Sequence, residues 1–387
     1  MTADNPTVAP LDRLRDAAGI TIHPAPEDGQ PMKDASSSRC MPAATGMRIG
    51  YSMWGFLGAG VVDTPDGSRS YRRPFVDELL AAGHEVVFVQ QNRDLREASL
   101  DLTDRYRWEP DGFPELDGVI FEWRWPLPGR NTTRCGTAGH TCDLHRQSDL
   151  LAHYTRVHRT RVLIWDFDRQ LDPRAALRGI PGVAVGEFAL APTVGAHHLP
   201  CPVPDALLDA ADPVELATCE RPLPLVYVGN QYDRDDHFDQ FFAPAAKRMP
   251  HRVAGKWSQT SRWPHVRFTG RAGFGEVEQI HASALATVLL LPERYWRVGH
   301  MTSRWWEALL AGCVPLLPAD MVGAATFVPA ELIVADGDDV TDRITWLRGI
   351  AGSRAHADLI AACLSYLEPF RCSTVAATAL TLLEKPA

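Results

Sequence analysis

Short runs of apolar residues alternate with amphipathic segments along most of the chain from residue 47 onward. Runs rich in β-branched residues, bounded by glycine and polar clusters, predict strands that are covered on both faces. The segments between them carry apolar positions at helical spacing, as in residues 74–82, where Gly83 follows as a helix stop. This alternation predicts parallel sheets with helices on both faces.

The pattern occurs twice, and a proline-rich stretch at 199–204 separates the two halves. Two doubly wound, Rossmann-like sheets in tandem leave a cleft between them, and such sheets bind ligands at the carboxyl ends of their strands. The predicted strands cover residues 48–52, 84–90, 118–123 and 161–165 in the first half, and 225–228, 251–254, 266–268, 286–291, 314–317 and 332–334 in the second. The main predicted helices cover residues 143–158, 236–247, 275–284 and 303–311.

This pattern also sets the expected domain organisation. We expect a flexible tail at 1–46, a first Rossmann-like domain at 47–205, a linker at 206–221, a second Rossmann-like domain at 222–370, and a C-terminal helix at 371–387. Whether this C-terminal helix packs back on the first domain is left open.

Composition limits the classes of protein that fit. With 387 residues, 45% of them hydrophobic, the chain is globular and long enough for two domains. The formal net charge of −9 disfavours non-specific binding to nucleic acid. No apolar run reaches the length of a membrane span, and the first 45 residues lack a signal-peptide pattern. Eight scattered cysteines are typical of a reduced, cytoplasmic protein.

The most informative stretch is residues 300–315. Thr302 or Ser303 can cap a helix whose first turn holds Arg304, a forked donor that suits phosphate oxygens. Glu307 lies three residues later on the same helix face, where its carboxylate could accept hydrogen bonds from the two hydroxyls of a ribose. The alternative is a simple surface ion pair between these two side chains.

Residues 303–315 (SRWWEALLAGCVP) resemble the S-R-x-x-E-A-L-A-x-G-x-x-P element of GT-B glycosyltransferases, particularly the CgeB-like, glycosyl-transferase group 1 relatives. Residues 225–234 (LVYVGNQYDR) resemble the V-x-x-V-G-N-x-Y-x-x-R element that opens the second domain of that family. Residues 251–257 (HRVAGKW) and 266–270 (VRFTG) follow in the family's order. The resemblance covers residues 222–320 well and residues 47–205 only in general.

The resemblance implies a GT-B fold with a site for a nucleotide sugar, UDP- or GDP-linked, in the second domain, and no metal or other cofactor. It also assigns roles to individual residues. Gly229 and Asn230 would let the backbone approach the donor phosphates, and Arg234 and Lys256 would offset the charge of the leaving diphosphate. Gly270 and Arg271 would lie beside the nucleobase. The phosphates would be held by Thr302, Ser303 and Arg304, and the ribose by Glu307. The family's acidic-Gly-Phe-Gly approach to the helix is replaced here by residues 294–300.

The glycine-rich loop at 54–73 follows the first strand and is expected at the mouth of the cleft. Its glycine spacing does not match a dinucleotide-binding fingerprint, so we interpret the loop as a lid. Trp54, Gly55 and Phe56 of this loop, with Arg124 after the third predicted strand, are the candidate acceptor-side residues.

Acidic residues at two strand ends are candidate catalytic bases. Asp63 lies in the loop after the first strand, and Asp166 directly follows the strand predicted at 161–165. Asp66 precedes a glycine, and we interpret it as a turn residue.

Cys135, His140, Cys142 and His145 lie close together in the sequence. Their spacing does not match the paired arrangement of a zinc site. We therefore predict no metal site there and expect a polar surface loop.

These observations predict a metal-independent glycosyltransferase whose small-molecule acceptor, such as a natural product or a nucleoside, binds mainly to the first domain. Retention or inversion at the anomeric carbon stays open, and a homodimer is compatible with the sequence. The alternatives are a UDP-sugar epimerase, a nucleotide-sugar-binding protein without turnover, and a transferase acting on a macromolecule such as modified DNA. The last would need a basic acceptor groove formed by Arg69, Arg72, Arg73, Arg124 and Arg130.

Overall fold

The computed structural model describes residues 46–61, 66–128, 131–134, 137 and 143–384. These residues form two β-sheets in which every pair of neighbouring strands is parallel. The strands of the seven-stranded first sheet are β1 (Arg48–Ser52), β2 (Glu85–Phe88), β3 (Arg107–Trp108), β4 (Gly118–Glu122), β5 (Arg161–Asp166), β6 (Val183–Glu187) and β7 (His197–His198). The strands of the five-stranded second sheet are β8 (Leu223–Val228), β9 (His251–Ala254), β10 (Ala284–Val288), β11 (Val314–Pro318) and β12 (Ile333–Val334).

Each sheet has a point where the strand order reverses. The first sheet has the order β3-β2-β1-β4-β5-β6-β7, so its reversal lies between β1 and β4. The second has the order β12-β11-β10-β8-β9, with its reversal between β8 and β10. Doubly wound sheets bind ligands outside the carboxyl ends of the strands at such reversals. The predicted fold class, two Rossmann-like sheets, is confirmed.

Helices cover the faces of both sheets. None of the described helices is long and apolar enough to cross a membrane. The α-helices are α1 (Arg69–Ala81), α2 (Arg93–Ala98), α3 (Asp143–Ala152), α4 (Asp205–Asp209), α5 (Pro213–Thr218), α6 (Asp235–His237), α7 (Ala243–Ala246), α8 (Phe274–Ala282), α9 (Glu293–Trp296), α10 (Arg304–Leu310), α11 (Gly337–Ile350), α12 (Arg354–Ser365) and α13 (Cys372–Glu384).

The core of the first sheet follows from side-chain alternation along its strands. On β4, Val119 and Phe121 point into the apolar cluster that includes Leu150 of α3, whereas Ile120 points into the cluster on the opposite face. All four side chains are fully buried. The continuous apolar runs seen in the sequence are therefore explained by two covered faces.

The two sheets are joined where two segments of chain run side by side. The Val203 amide donates to the Phe370 carbonyl at 2.7 Å, and the Cys372 amide donates to the Val203 carbonyl at 2.8 Å. Arg371 lies between these residues and pairs with Asp209 at 2.8 Å. Beyond this crossing, α13 returns to the first sheet and packs against α1 and β5.

Two predicted elements differ from the structure. The helix predicted to start at Pro74 begins at Arg69, with Pro74 inside it, because ion pairs of its first turn hold the additional residues in place. The strand predicted at 266–268 forms only an isolated bridge between Val253 and Phe268, with the Val253 amide donating to the Arg267 carbonyl and the Thr269 amide donating to the Val253 carbonyl, each at 2.9 Å.

Buried charges hold the glycine-rich loop against the first sheet. Arg72 of α1 is 2% exposed and pairs with Glu122, at the end of β4, through two bonds of 2.5 and 2.6 Å. The same guanidinium binds Asp66 at 2.7 Å and the Phe56 carbonyl at 2.8 Å. The Tyr51 hydroxyl donates to Glu122 at 2.9 Å. Burial alone would raise the pKa of Asp66, but the charge of Arg72 holds that pKa below its usual value.

Replacing Arg72 should therefore destabilise the protein strongly. Arg72→Met leaves two buried carboxylates without their cation, which should cost about 3–5 kcal/mol of unfolding free energy. Arg73→Met is the matched control, because the Arg73 side chain is 35% exposed and its nearest carboxylate is 3.9 Å away. Its loss should cost less than about 1 kcal/mol. Urea denaturation of both variants measures the difference, and equal losses would contradict this interpretation.

Candidate functional site

A cavity of about 360 Å³, here called the central cavity, lies between the carboxyl ends of the two sheets. Asp66 and Arg69, after β1, and Asp168, after β5, contribute from the first sheet. From the second sheet come the segments that follow β8, β9 and β10. The central cavity thus lies where both reversals of strand order predict a ligand site.

Two backbone loops form the floor of the central cavity on the side of the second sheet. The Gly229 amide donates to the Ala254 carbonyl at 2.9 Å, and the Lys256 amide donates to Asn230 Oδ1 at 2.7 Å. Gly255 has a φ of 144°, and a β-carbon there would lie 2.0 Å from the Gly229 carbonyl oxygen. Only glycine permits this close approach, so the loops after β8 and β9 present backbone to the central cavity.

The central cavity is positively charged although the whole chain is acidic. Five arginines line it against two carboxylates, whereas the net charge of the chain is −9. Such a concentration of guanidinium groups attracts an anionic ligand. The five are Arg69, Arg234, Arg271, Arg294 and Arg304.

These arginines differ in how they are held. Arg234 donates to the backbone carbonyls of Leu290, at 3.0 Å, and Asn230, and such carbonyls fix the guanidinium without neutralising it. Arg294 instead pairs with Asp233 at 2.9 Å. Arg69 reaches across from the first sheet and lies over the ring of Phe274, 4.7 Å from the ring centroid. Arg234 therefore offers positive charge to a ligand.

Arg304 and Glu307 form an ion pair at the start of α10. The sequence left a simple ion pair between these two side chains open as the alternative to ligand binding, and that ion pair is present. It lies at the wall of the central cavity, because Arg304 lines the cavity. Within the described residues Glu307 is engaged through Oε2, which leaves Oε1 to accept another bond. Ser303 occupies the position before the helix, but its side chain makes no capping bond.

Asp168 is the carboxylate beyond the end of β5 that reaches the central cavity. It accepts a hydrogen bond from the Tyr295 hydroxyl, and burial together with the charge of Asp168 raises the pKa of Tyr295 well above its usual range. The next residue, Arg169, has a φ of 52° and is held by Glu187 at 3.1 Å. A left-handed arginine fixed by a buried carboxylate positions Asp168 beyond the sheet.

Asp166, predicted as a catalytic base, does not reach the central cavity. It is fully buried, and its two carboxylate oxygens accept from the Gln170 amide at 2.9 Å and the Leu171 amide at 2.7 Å. Burial raises its pKa to about 6. The strand pairs through Asp166 with Glu187, so the first residue free of the sheet lies further along the chain. Asp166 therefore shapes the turn that carries Asp168.

The structure brings together most of the predicted donor-site residues, but not all. Lys256 lies outside the cavity lining: its backbone is fixed by the neighbouring loop, and its side chain is exposed. Gly270, Ser303 and Glu307 lie next to lining residues without lining the central cavity themselves. Those that line it are Gly229, Asn230, Arg234, Arg271, Thr302 and Arg304.

The predicted acceptor-side residues lie outside the cavity lining. The half-buried ring of Trp54 contacts two guanidinium groups, that of Arg93 at 4.2 Å from the ring centroid and that of Arg124 at 5.4 Å. Gly55 and Phe56 are buried, and a β-carbon at Gly55 would meet the Asp66 carboxylate. Gly55 and Phe56 therefore fix the loop against the Arg72 ion pairs, whereas Trp54 and Arg124 remain candidates for contact with an acceptor.

Two of the five arginines that a nucleic-acid acceptor groove would need are engaged by other side chains. Arg72 is buried between two carboxylates, and Arg73 donates to the Tyr106 hydroxyl at 3.1 Å. Arg69 points into the central cavity. Arg130 lies outside the described residues.

The segment that departs from the family pattern separates two cavities. Arg294 and Tyr295 line the central cavity, whereas Trp296 and Arg297 line a second, more polar cavity of about 570 Å³. Of the predicted site residues, Arg234 borders both cavities. Arg294 and Tyr295 are therefore the residues of this segment that face the central cavity.

Some of the predictions fall on residues outside the described part of the chain. These are Asp63 and three members of the Cys/His group: Cys135, His140 and Cys142. His145, the fourth member, lies in the first turn of α3. Among the described residues, no group of three or more His, Cys, Asp or Glu side chains is arranged to hold a metal ion.

Three residues that line the central cavity were not predicted to do so: Asp168, Tyr295 and Arg69. For Asp168 the signal was present in the cluster Trp165 to Arg169, but the sequence did not show where the strand ends. Tyr295 and Arg69 reach the central cavity only through tertiary packing.

No protein-family model matches the sequence, and no curated protein matches it. Among solved structures, T4 phage β-glucosyltransferase with UDP-glucose is similar over 88% of this chain and 100% of its own, with a TM-score of 0.59 and 13% identity. AviGT4, a glycosyltransferase of avilamycin A biosynthesis, is similar over 87% of this chain and 97% of its own, with a TM-score of 0.51 and 15% identity. These similarities confirm the GT-B fold, while the CgeB-like grouping stays a prediction.

Proposed function

We propose that the protein is a glycosyltransferase that moves a sugar from a nucleoside diphosphate sugar to a hydroxyl of a small-molecule acceptor. The observation that carries this proposal is the arginine-lined central cavity at the carboxyl ends of both sheets. An acidic chain that concentrates five guanidinium groups in one cavity has a site suited to a diphosphate. The similarity to glycosyltransferases in fold supports the same reaction class.

The donor, UDP- or GDP-linked, is proposed to bind on the side of the second sheet. The backbone of Gly229 and Asn230 comes close to the diphosphate, and Arg234, Arg304 and the Thr302 hydroxyl bind its oxygens. Thus held, the guanidinium groups stabilise the negative charge that develops on the leaving diphosphate. On this proposal the reaction needs no metal ion, because the cavity arginines supply the compensating charge.

The ribose of the donor is assigned to Glu307. Its Oε1 atom is open to a hydroxyl donor, and its Oε2 atom is fixed by Arg304, which lines the central cavity. An ionised carboxylate accepts two hydrogen bonds from vicinal hydroxyls without competing as a donor. The ion pair therefore positions the carboxylate for the ribose.

Asp168 is proposed as the general base. Of the two carboxylates that line the central cavity, Asp66 is engaged by the buried Arg72, whereas Asp168 is half-buried and accepts from the Tyr295 hydroxyl. Asp168 would take the proton of the acceptor hydroxyl as its oxygen bonds to the anomeric carbon, while the bond from that carbon to the diphosphate breaks. Such a direct displacement inverts the anomeric configuration.

The acceptor is proposed to be a small molecule that approaches from the first sheet. Trp54, whose ring lies within 5.4 Å of the guanidinium groups of Arg93 and Arg124, offers an aromatic surface next to positive charge. The buried position of Arg72 supports a small acceptor over a nucleic acid, because it leaves few basic side chains to follow a phosphate backbone.

Removing the Glu307 carboxylate should weaken nucleotide binding selectively. Calorimetry on Glu307→Ala should show a roughly 10- to 100-fold loss of affinity for the nucleoside diphosphate that binds the wild type, equivalent to about 1.5–3 kcal/mol for a charged hydrogen bond. Inorganic pyrophosphate, which has no ribose, should bind both proteins equally well or bind the variant more tightly. Glu331→Ala, at an exposed acid elsewhere, is the control. Equal nucleotide affinity in Glu307→Ala and the wild type would reject the ribose assignment.

Removing the base should affect turnover without affecting donor binding. In Asp168→Asn, release of nucleoside diphosphate from the donor sugar should fall about 10²- to 10⁴-fold, because a positioned base contributes a factor of that size. Nucleotide affinity should stay within about three-fold, less than 1 kcal/mol. Asp172→Asn, at an exposed acid nearby, should behave like the wild type. A variant that binds and turns over normally would show that another group is the base.

A further inference from the structure

His281 is a buried imidazole in the wall of the central cavity that the mechanism above does not use. It lies near the end of α8, is 1% exposed and lines the cavity together with Val277, one helical turn earlier. Its Nδ1 atom is enclosed and has no hydrogen-bond partner among the described residues. A buried polar atom without a partner is uncommon and needs an explanation.

The imidazole is neutral at physiological pH. Burial, and then the charge of Arg304, lower the pKa of His281 to about 3. A neutral imidazole carries one proton, on either Nδ1 or Nε2. A buried N–H group without an acceptor is rarer than a buried acceptor without a donor. We therefore place the proton on Nε2, which leaves the Nδ1 lone pair without a hydrogen bond.

The Nε2 atom is the ring nitrogen that can meet a ligand. It is not among the enclosed, unpartnered atoms, and no hydrogen bond joins it to the described part of the chain. It therefore retains solvent access, and because the ring lines the central cavity, that access is through the cavity. His281 thus offers an N–H donor to the cavity.

The neighbours of His281 indicate which part of a nucleotide it would meet. Ala272, Phe274 and Val277 form an apolar side of the central cavity, which suits the flat face of a nucleobase. Arg304, whose charge reaches His281, holds Glu307 through the ion pair. Helix α8 packs against α10, so His281 lies on the helix next to the one that carries Arg304 and the proposed ribose carboxylate.

We propose that Nε2–H of His281 donates a hydrogen bond to a ribose hydroxyl oxygen of the donor, opposite the Glu307 carboxylate. The inference rests on the proposed function. A hydroxyl is both donor and acceptor, so an acceptor-only carboxylate and an N–H donor on the same diol satisfy both capacities. A 2′-deoxynucleotide lacks one of the two hydroxyls. When it binds, a buried hydrogen-bonding group of the site is left without a partner. His281 thereby makes the site selective for ribonucleotides.

Two substitutions separate the two ring nitrogens. His281→Gln places an amide N–H near the Nε2 position, whereas His281→Asn reaches only the Nδ1 position. Calorimetry with UDP and 2′-deoxy-UDP, or the guanosine pair if GDP binds better, gives the affinity ratio for each protein. The wild type should prefer the ribonucleotide at least about ten-fold. The Gln variant should retain most of this preference. The Asn variant should keep only the part that Glu307 supplies, so its preference should be clearly smaller than that of the Gln variant.

The outcomes distinguish this inference from the proposed function. If the wild type binds neither nucleotide, the proposed function fails. If the wild type binds and both variants, folded by circular dichroism, keep its affinity and its preference, only the role of His281 is overturned. Should the variants not fold, the ¹⁵N shifts of His281 in the wild type decide. The inference requires an Nε2–H tautomer whose Nε2 signal moves on adding UDP but not pyrophosphate, and an Nδ1–H tautomer or an unchanged signal would overturn it.

Discussion

The paired crossing of the chain between the two sheets is the constraint on which the rest of the structure depends. The bonds between Val203 and the segment around Phe370 and Cys372 fix the two connections against each other. Because the sheets are joined there, and because α13 returns to pack on the first sheet, the carboxyl ends of the two sheets lie opposite each other. The central cavity exists for that reason, with walls that come from residues more than 200 positions apart in the chain, such as Asp66 and Arg304.

Within this frame, the partner of each arginine decides its role. Arg72 is buried between two carboxylates and fixes the glycine-rich loop, while Arg234 is held by backbone carbonyls and keeps its full charge for a ligand. Arg304 combines both situations, since it lines the central cavity and holds Glu307 in place. On the proposed function, the same type of side chain thus supports the fold, a phosphate site or a ribose site, depending on burial and on the acceptor nearby.

The sequence predicted the fold and much of the donor side of the cavity because both depend on local patterns. Apolar runs place the strands, and the spacing of Arg304 and Glu307 on one short helix brings them together without tertiary information. The base could not be chosen in this way. Asp166 and Asp168 differ by two positions, and only the pairing of β5 with β6 shows that the first is enclosed in the sheet edge. The burial of Arg72 and the position of Lys256 outside the cavity lining could not be predicted for a similar reason, since exposure depends on the packing of loops.

A crystal structure of the protein with bound UDP or GDP would show directly where the donor binds. We expect density for the nucleotide in the central cavity, with the diphosphate between the Gly229–Asn230 backbone and Arg304, and with the ribose at Glu307. Nucleotide bound instead in the polar cavity beyond Arg234, or a fully occupied nucleotide that leaves Arg304 and Glu307 without contact, would contradict this expectation.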